Sequence, residues 1–116
     1  MFLLRRLLYY LRSIGTLLAG IKDWPTLIAA FVGRAPAKPF LIELRGSGLR
    51  FNVRNAMDIW IIKETCLDRD YERISEPVQD GWTIIDIGAA LGDFVVDTAV
   101  HHPRCVLHAY EPFPQS

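Results

Sequence analysis

The chain opens on a leucine-rich stretch with helical spacing. Leu4, Leu8, Leu11, Gly15 and Leu18 recur on one side, with Leu7 and Ile14 beside them, while Arg5, Arg12 and Thr16 fall on another. This pattern predicts an amphipathic helix over residues 2–19. Asp23-Trp24-Pro25 interrupts it, because proline suits the start of a helix and not its interior. Residues 26–32 read as a short second apolar helix, and residues 33–39, Gly-Arg-Ala-Pro-Ala-Lys-Pro, as a linker.

The period then changes. Residues 40–45 and 49–54 are extended runs around Gly46-Ser47-Gly48, and Leu49, Phe51 and Val53 alternate with Arg50, Asn52 and Arg54. A hairpin with one buried face is expected. Asn55 is placed to cap a helix from Ala56 to about Leu67, whose inward stripe is Ile59, Ile62 and Cys66. The charged run at residues 68–73 reads as a solvated face, and Asp80-Gly81 as a tight turn. Residues 82–87 form a short apolar strand broken only by Asp86. The turn Gly88-Ala89-Ala90-Leu91-Gly92 follows, then a helix at residues 93–101 that packs through Phe94, Val95, Ala99 and Val100. Pro103 ends that region, and residues 105–110 form a second apolar strand with Glu111 at its carboxyl end. Strand, glycine turn, helix, strand is a βαβ unit, whose handedness makes the two strands parallel.

Charge changes this picture in one respect. Thirteen Lys and Arg balance thirteen Asp and Glu, which excludes a uniformly basic nucleic-acid binder. Yet residues 1–34 carry +4 and the remainder −4, so a cationic leader precedes an acidic body. The leader is interrupted by Arg5, Arg6 and Arg12 and ended by Lys22 and Asp23, which makes it a poor membrane span and a poor signal peptide. Two readings stay open: a helix covering the body or a partner subunit, the commoner case, and a helix lying on an anionic membrane surface. Cys66 and Cys105 are too few for a disulfide framework or a zinc site, and a reduced, cytoplasmic setting is expected. His101-His102 lacks any accompanying ligand pattern, so no metal is expected.

The candidate chemistry lies in the βαβ unit. A ligand of such a unit lies across the carboxyl ends of the strands, where an acid ending the second strand can accept two hydrogen bonds from a ribose diol. Glu111 lies 23 residues beyond Gly88, close to the offset expected for an adenosine-binding unit. Asp86 in an apolar strand is costly unless it reaches backbone donors of the turn or a cationic ligand group. A dinucleotide fingerprint fails here: Ala90 and Asp93 occupy the second and third glycine positions, and Asp93 would repel a pyrophosphate. The P-loop pattern is absent. A phosphate-free ligand with an amino-acid end and a ribose fits better, and S-adenosylmethionine is such a ligand. The bland alternative is an acid that simply caps a turn.

IIDIGAALGDF followed by HAYEPFP resembles the first and second cofactor motifs of Rossmann-type methyltransferases, most closely those of the FkbM family. Asp58-Ile59-Trp60, Lys63-Glu64 and Asp70-Tyr71-Glu72 are similar to that family's upstream stretch, so the resemblance runs from about Phe40 to Pro114. It implies that Asp86, Gly88, Ala89 and Gly92 shape the methionine end of an S-adenosylmethionine site. Glu111 would hold the ribose and Phe113 would flank the adenine. Ala90 stands where many methyltransferases have glycine, which the FkbM-like pattern tolerates.

The expected architecture is α/β. It is an incomplete Rossmann-like methyltransferase fold, hairpin and helix followed by one βαβ unit, behind an amphipathic helical leader. The expected organisation is a leader at 1–34, a linker at 35–39, hairpin plus helix at 40–80 and the first βαβ unit at 81–116. The resemblance implies further strands, so the chain is expected to be the front of a longer protein and inactive alone. The expected activity is methyl transfer to a hydroxyl of a sugar or natural product, with a small-molecule or glycan acceptor and no catalytic residue named. A non-catalytic binding module with a membrane- or partner-docking leader is the alternative, and a dehydrogenase a distant third. The expected place is the cytoplasm, with peripheral contact at the inner membrane face through residues 1–34 left open.

Overall fold

The leucine-rich opening folds as one helix, α1 (Phe2–Gly20), but it does not pack by its leucines. Its buried residues are Ser13 and Leu17, whereas Leu4, Leu7, Leu8, Leu11 and Ile14 are each more than half exposed. Periodicity identifies a face without identifying what that face meets, and among the described residues the leucine face meets none that buries it. The computed structural model describes residues 1–114. Helix α1 ends at Gly20 as Ile21 turns extended, and Asp23 starts α2 (Trp24–Phe31): its carboxylate accepts from the Thr26 amide at 3.5 Å and from the Thr26 hydroxyl at 2.6 Å, with Pro25 in the first turn.

The chain divides into two compact units, Met1–Ile59 and the part from Trp60 onward. The first holds α1, α2 and an antiparallel hairpin of β1 (Phe40–Glu43) and β2 (Arg50–Val53), with Phe40 opposite Val53 and Ile42 opposite Phe51. That register puts Ile42, Phe51 and Val53 on the buried side while Arg50 and Asn52 face out, as alternation requires. Beyond α1 the chain extends at Ile21, which bridges to Leu44, and the Arg45 amide donates to the Gly20 carbonyl at 2.8 Å. Ile21, Leu27, Ile42, Leu44, Phe51 and Val53 form an apolar core that is at most 5% exposed.

Helix α3 (Ala56–Ile62) begins with reciprocal capping. Asn55 Oδ1 accepts from the Asp58 amide at 3.1 Å, and Asp58 Oδ2 accepts from the Arg54 amide at 2.9 Å. The Arg54 guanidinium closes on the same carboxylate, and this pairing holds the Asp58 carboxyl below its ordinary range against the opposing effect of burial. After Ile62 the helix widens into a π-helical turn, Lys63–Leu67, marked by the Asp68 amide donating to the Lys63 carbonyl at 2.8 Å. Ile59, Ile62 and Cys66 are buried, and so is Lys63, whose ammonium reaches Asp68 at 2.7 Å and lies 4.4 Å from the centroid of the Trp60 ring.

The charged run at 68–73 is not a plain solvated face. Arg69 takes a left-handed φ of 55° and starts a short helix, α4 (Asp70–Ile74). Its guanidinium bonds Glu72 at 2.7 Å and lies 3.8 Å from the buried Asp97. Long-range pairing of this kind leaves no periodic trace in a sequence. The second unit continues with β3 (Thr83–Ile87), α5 (Asp93–His101) and β4 (Val106–Tyr110), and β3 and β4 pair in parallel with Thr83 beside Val106 and Ile87 beside Tyr110. The described residues therefore form a mixed α/β structure with two small sheets and no closed barrel. No helix among them is long and apolar enough to cross a membrane.

Candidate functional site

Parallel pairing brings the carboxyl ends of β3 and β4 to one edge, and the turn after β3 crosses that edge. Gly88 adopts φ 79° and Gly92 φ 74°, left-handed values that glycine reaches without a Cβ penalty. Between them Ala90 takes φ 47°, a conformation that costs an alanine about 1 kcal/mol. The turn is tied to the second strand. The amides of Gly88 and Ala89 both donate to the Tyr110 carbonyl, at 2.7 Å and 3.0 Å, and Ala89 is buried.

Glu111 follows directly on β4 and reaches back into this turn. Its Oε2 accepts from the Ala90 amide at 2.8 Å and its Oε1 from the Phe113 amide at 2.9 Å. The turn-capping role weighed from the sequence is therefore present. It does not exhaust the group, because an ionised carboxylate offers about four acceptor positions and two are used here. Phe113 is 69% exposed, with its ring directed at solvent rather than into a core.

Asp86 occupies the penultimate position of β3, beside Ala109 of β4. It is half-buried and has no hydrogen bond or ion pair among the described residues. Partial burial raises its carboxyl above the ordinary value, and the charge of Asp93 adds to the effect. The amides of Gly88, Ala89 and Ala90, which follow it in the turn, donate to Tyr110 and Glu111 instead. The structure thus joins Gly88, Ala89, Ala90, Glu111 and the Phe113 backbone in one hydrogen-bonded edge, with Gly92 opening α5. It leaves Asp86 next to that edge with an unmet carboxylate.

Asp93, which the sequence placed at the start of α5, has a buried acidic companion that was not singled out from sequence, Asp97. Asp93 and Asp97 are both buried, one helical turn apart on α5, and the Asp93 carbonyl accepts from the Cys66 thiol at 3.7 Å. Burial, aided by Asp97 and Asp93, pushes the Cys66 thiol far above its usual range, so it is an inert buried group rather than a nucleophile. The i, i+4, i+8 series Asp93, Asp97, His101 was the available signal.

Asp97 Oδ1 is buried with no hydrogen-bond partner among the described residues. His101 Nδ1 lies 3.5 Å from it but is turned to the Asp97 carbonyl at 2.9 Å. Burial raises the Asp97 carboxyl, while His101 and Arg69 partly offset this and Glu72 and Asp93 reinforce it. A carboxyl with a raised folded-state pKa favours the fold in acid, and that contribution is lost as pH rises from the ordinary carboxylate range through the raised value. Asp97→Asn is expected to flatten this fall, measured as the thermal midpoint against pH beside the wild type.

Over 55 residues the chain is 33% identical to 31-O-demethyl-FK506 methyltransferase FkbM of Streptomyces tacrolimicus. The matched stretch is 47% of this chain and 21% of that enzyme, so the chain spans about a fifth of the relative's length. No family model matches the chain, and no solved structure matches it.

Proposed function

We propose that this chain carries the cofactor-binding front of an S-adenosylmethionine-dependent methyltransferase of the FkbM kind, acting on a hydroxyl of a sugar or natural product. The observation that carries the reading is the pair of carboxylates at the carboxyl edge of one parallel strand pair, Glu111 with acceptor positions to spare and Asp86 with no partner. An unmet, half-buried carboxylate suits an ammonium group, and a carboxylate fixed by backbone amides suits a vicinal diol. S-adenosylmethionine presents both groups and no phosphate. The buried Asp93 at the start of α5 weighs against a pyrophosphate there, and hence against a dinucleotide.

In this reading Gly88 and Gly92 shape the turn, Ala89 packs beneath it, Asp86 meets the amino-acid end, Glu111 holds the ribose and Phe113 covers the adenine. Bound S-adenosylmethionine supplies a sulfonium methyl group to an acceptor hydroxyl aligned behind it. The similarity to a methyltransferase supports the same class, and the Rossmann-like arrangement behind a leader at 1–34 belongs to this proposal. So does a small-molecule or glycan acceptor.

One observation favours a non-catalytic module instead: both Glu111 oxygens already hold amides, which accounts for their placement without a ligand. Titration calorimetry of the protein with S-adenosylhomocysteine and, separately, NAD discriminates the readings. The proposal expects heat with the first ligand alone. Binding of NAD in its place would point to a dinucleotide enzyme, and silence with both, repeated in a longer form of the protein, to the module.

A further inference from the structure

The proposed reaction leaves the largest apolar surface of α1 unused. Leu4, Leu7, Leu8, Leu11, Ile14 and Leu18 form one row, each between 39% and 59% exposed, running about 21 Å along the helix. The helix is anchored by Ser13 and Leu17 on another side, so the row is held outward rather than left to chance. Arg5 and Arg12 border the row on one flank by helical spacing, whereas Arg6 falls on the far side, in the stripe of Ser13 and Leu17. None of the three has a carboxylate partner among the described residues; the Arg6 guanidinium lies 5.8 Å from the Phe2 ring centroid. No Asp or Glu occurs before Asp23.

We infer that α1 lies flat on an anionic lipid bilayer, its leucine row in the acyl boundary and Arg5 and Arg12 among the headgroups. The charge pattern selects this occupant. An anionic surface meets the Arg5–Arg12 flank along its length and attracts Arg6 through its wider field, and the leucine row then leaves water. A second copy of the helix would instead bring like-charged flanks together, which is repulsive. The helix is not apolar enough to cross the membrane, so the interface is its place.

Flotation of the purified chain with vesicles tests this directly, because aggregated protein does not float. The chain is expected to float with phosphatidylcholine–phosphatidylglycerol vesicles and not with phosphatidylcholine alone, and to lose the association at high salt. Replacing all three arginines with glutamine (R5Q/R6Q/R12Q) should weaken partitioning ~100-fold at about one charge-worth per arginine. Leu7→Glu combined with Leu11→Glu should abolish it. All five replaced side chains are exposed, so circular dichroism should report an unchanged helix. Equal flotation with neutral vesicles, no flotation with anionic ones, or indifference to the arginine variant would overturn the inference. A lipid-free dimer dissociated by the leucine variant would reassign the row to self-association.

Discussion

Glu111→Ala is expected to weaken S-adenosylhomocysteine binding about 100-fold or more, because the two charge-assisted hydrogen bonds to the ribose that the proposed function assigns to Glu111 would be lost together. The same change removes the acceptor of the Ala90 and Phe113 amides, which lie 2.8 Å and 2.9 Å from the carboxylate. Both of those residues are exposed, so water can replace the carboxylate and the stability loss should stay within about 1 kcal/mol. Calorimetry reads the first effect and thermal unfolding the second. Glu111→Gln keeps an acceptor oxygen but no charge, and should fall between wild type and alanine in affinity. Binding that survives Glu111→Ala unchanged would reduce the carboxylate to a clasp for the turn.

Phe51→Ala should destabilise the first unit by about 3–5 kcal/mol, a large share of the roughly 5–15 kcal/mol typical of a domain. Phe51 is 5% exposed, faces Ile42 across the hairpin and stands two residues before the fully buried Val53. Truncation there leaves a void that neighbouring aliphatic side chains refill only in part. Urea unfolding followed by far-ultraviolet circular dichroism measures the loss. A change below about 1 kcal/mol would mean that the hairpin's inner face is not the core it resembles.

What could be read from the chain alone was whatever depends on neighbours in sequence. The alternation Phe51, Asn52, Val53 sets the hairpin's buried face, Asn55 and Asp23 cap the helices that follow them, and the glycine turn with its flanking strands marks the parallel pair. The π-helical turn escaped because a one-residue slip in hydrogen bonding changes no composition. The engagement of Arg69 with Asp97 escaped because it joins residues far apart in the chain. At the candidate site, residue types and spacing pointed to Glu111 and Asp86, yet only coordinates separate their states. Glu111 is already clasped by amides, whereas Asp86 has none, the Gly88, Ala89 and Ala90 amides going to Tyr110 and Glu111.

The left-handed alanine in the turn has a consequence for how readily the loop can be disturbed. A glycine at position 90 would sample many backbone states when free and would have to surrender them on meeting a ligand. Alanine has far fewer states to surrender, and its amide is already gripped by Glu111. The loop is thus preorganised at the expense of a standing strain, trading local comfort for a smaller entropic toll at the moment of encounter.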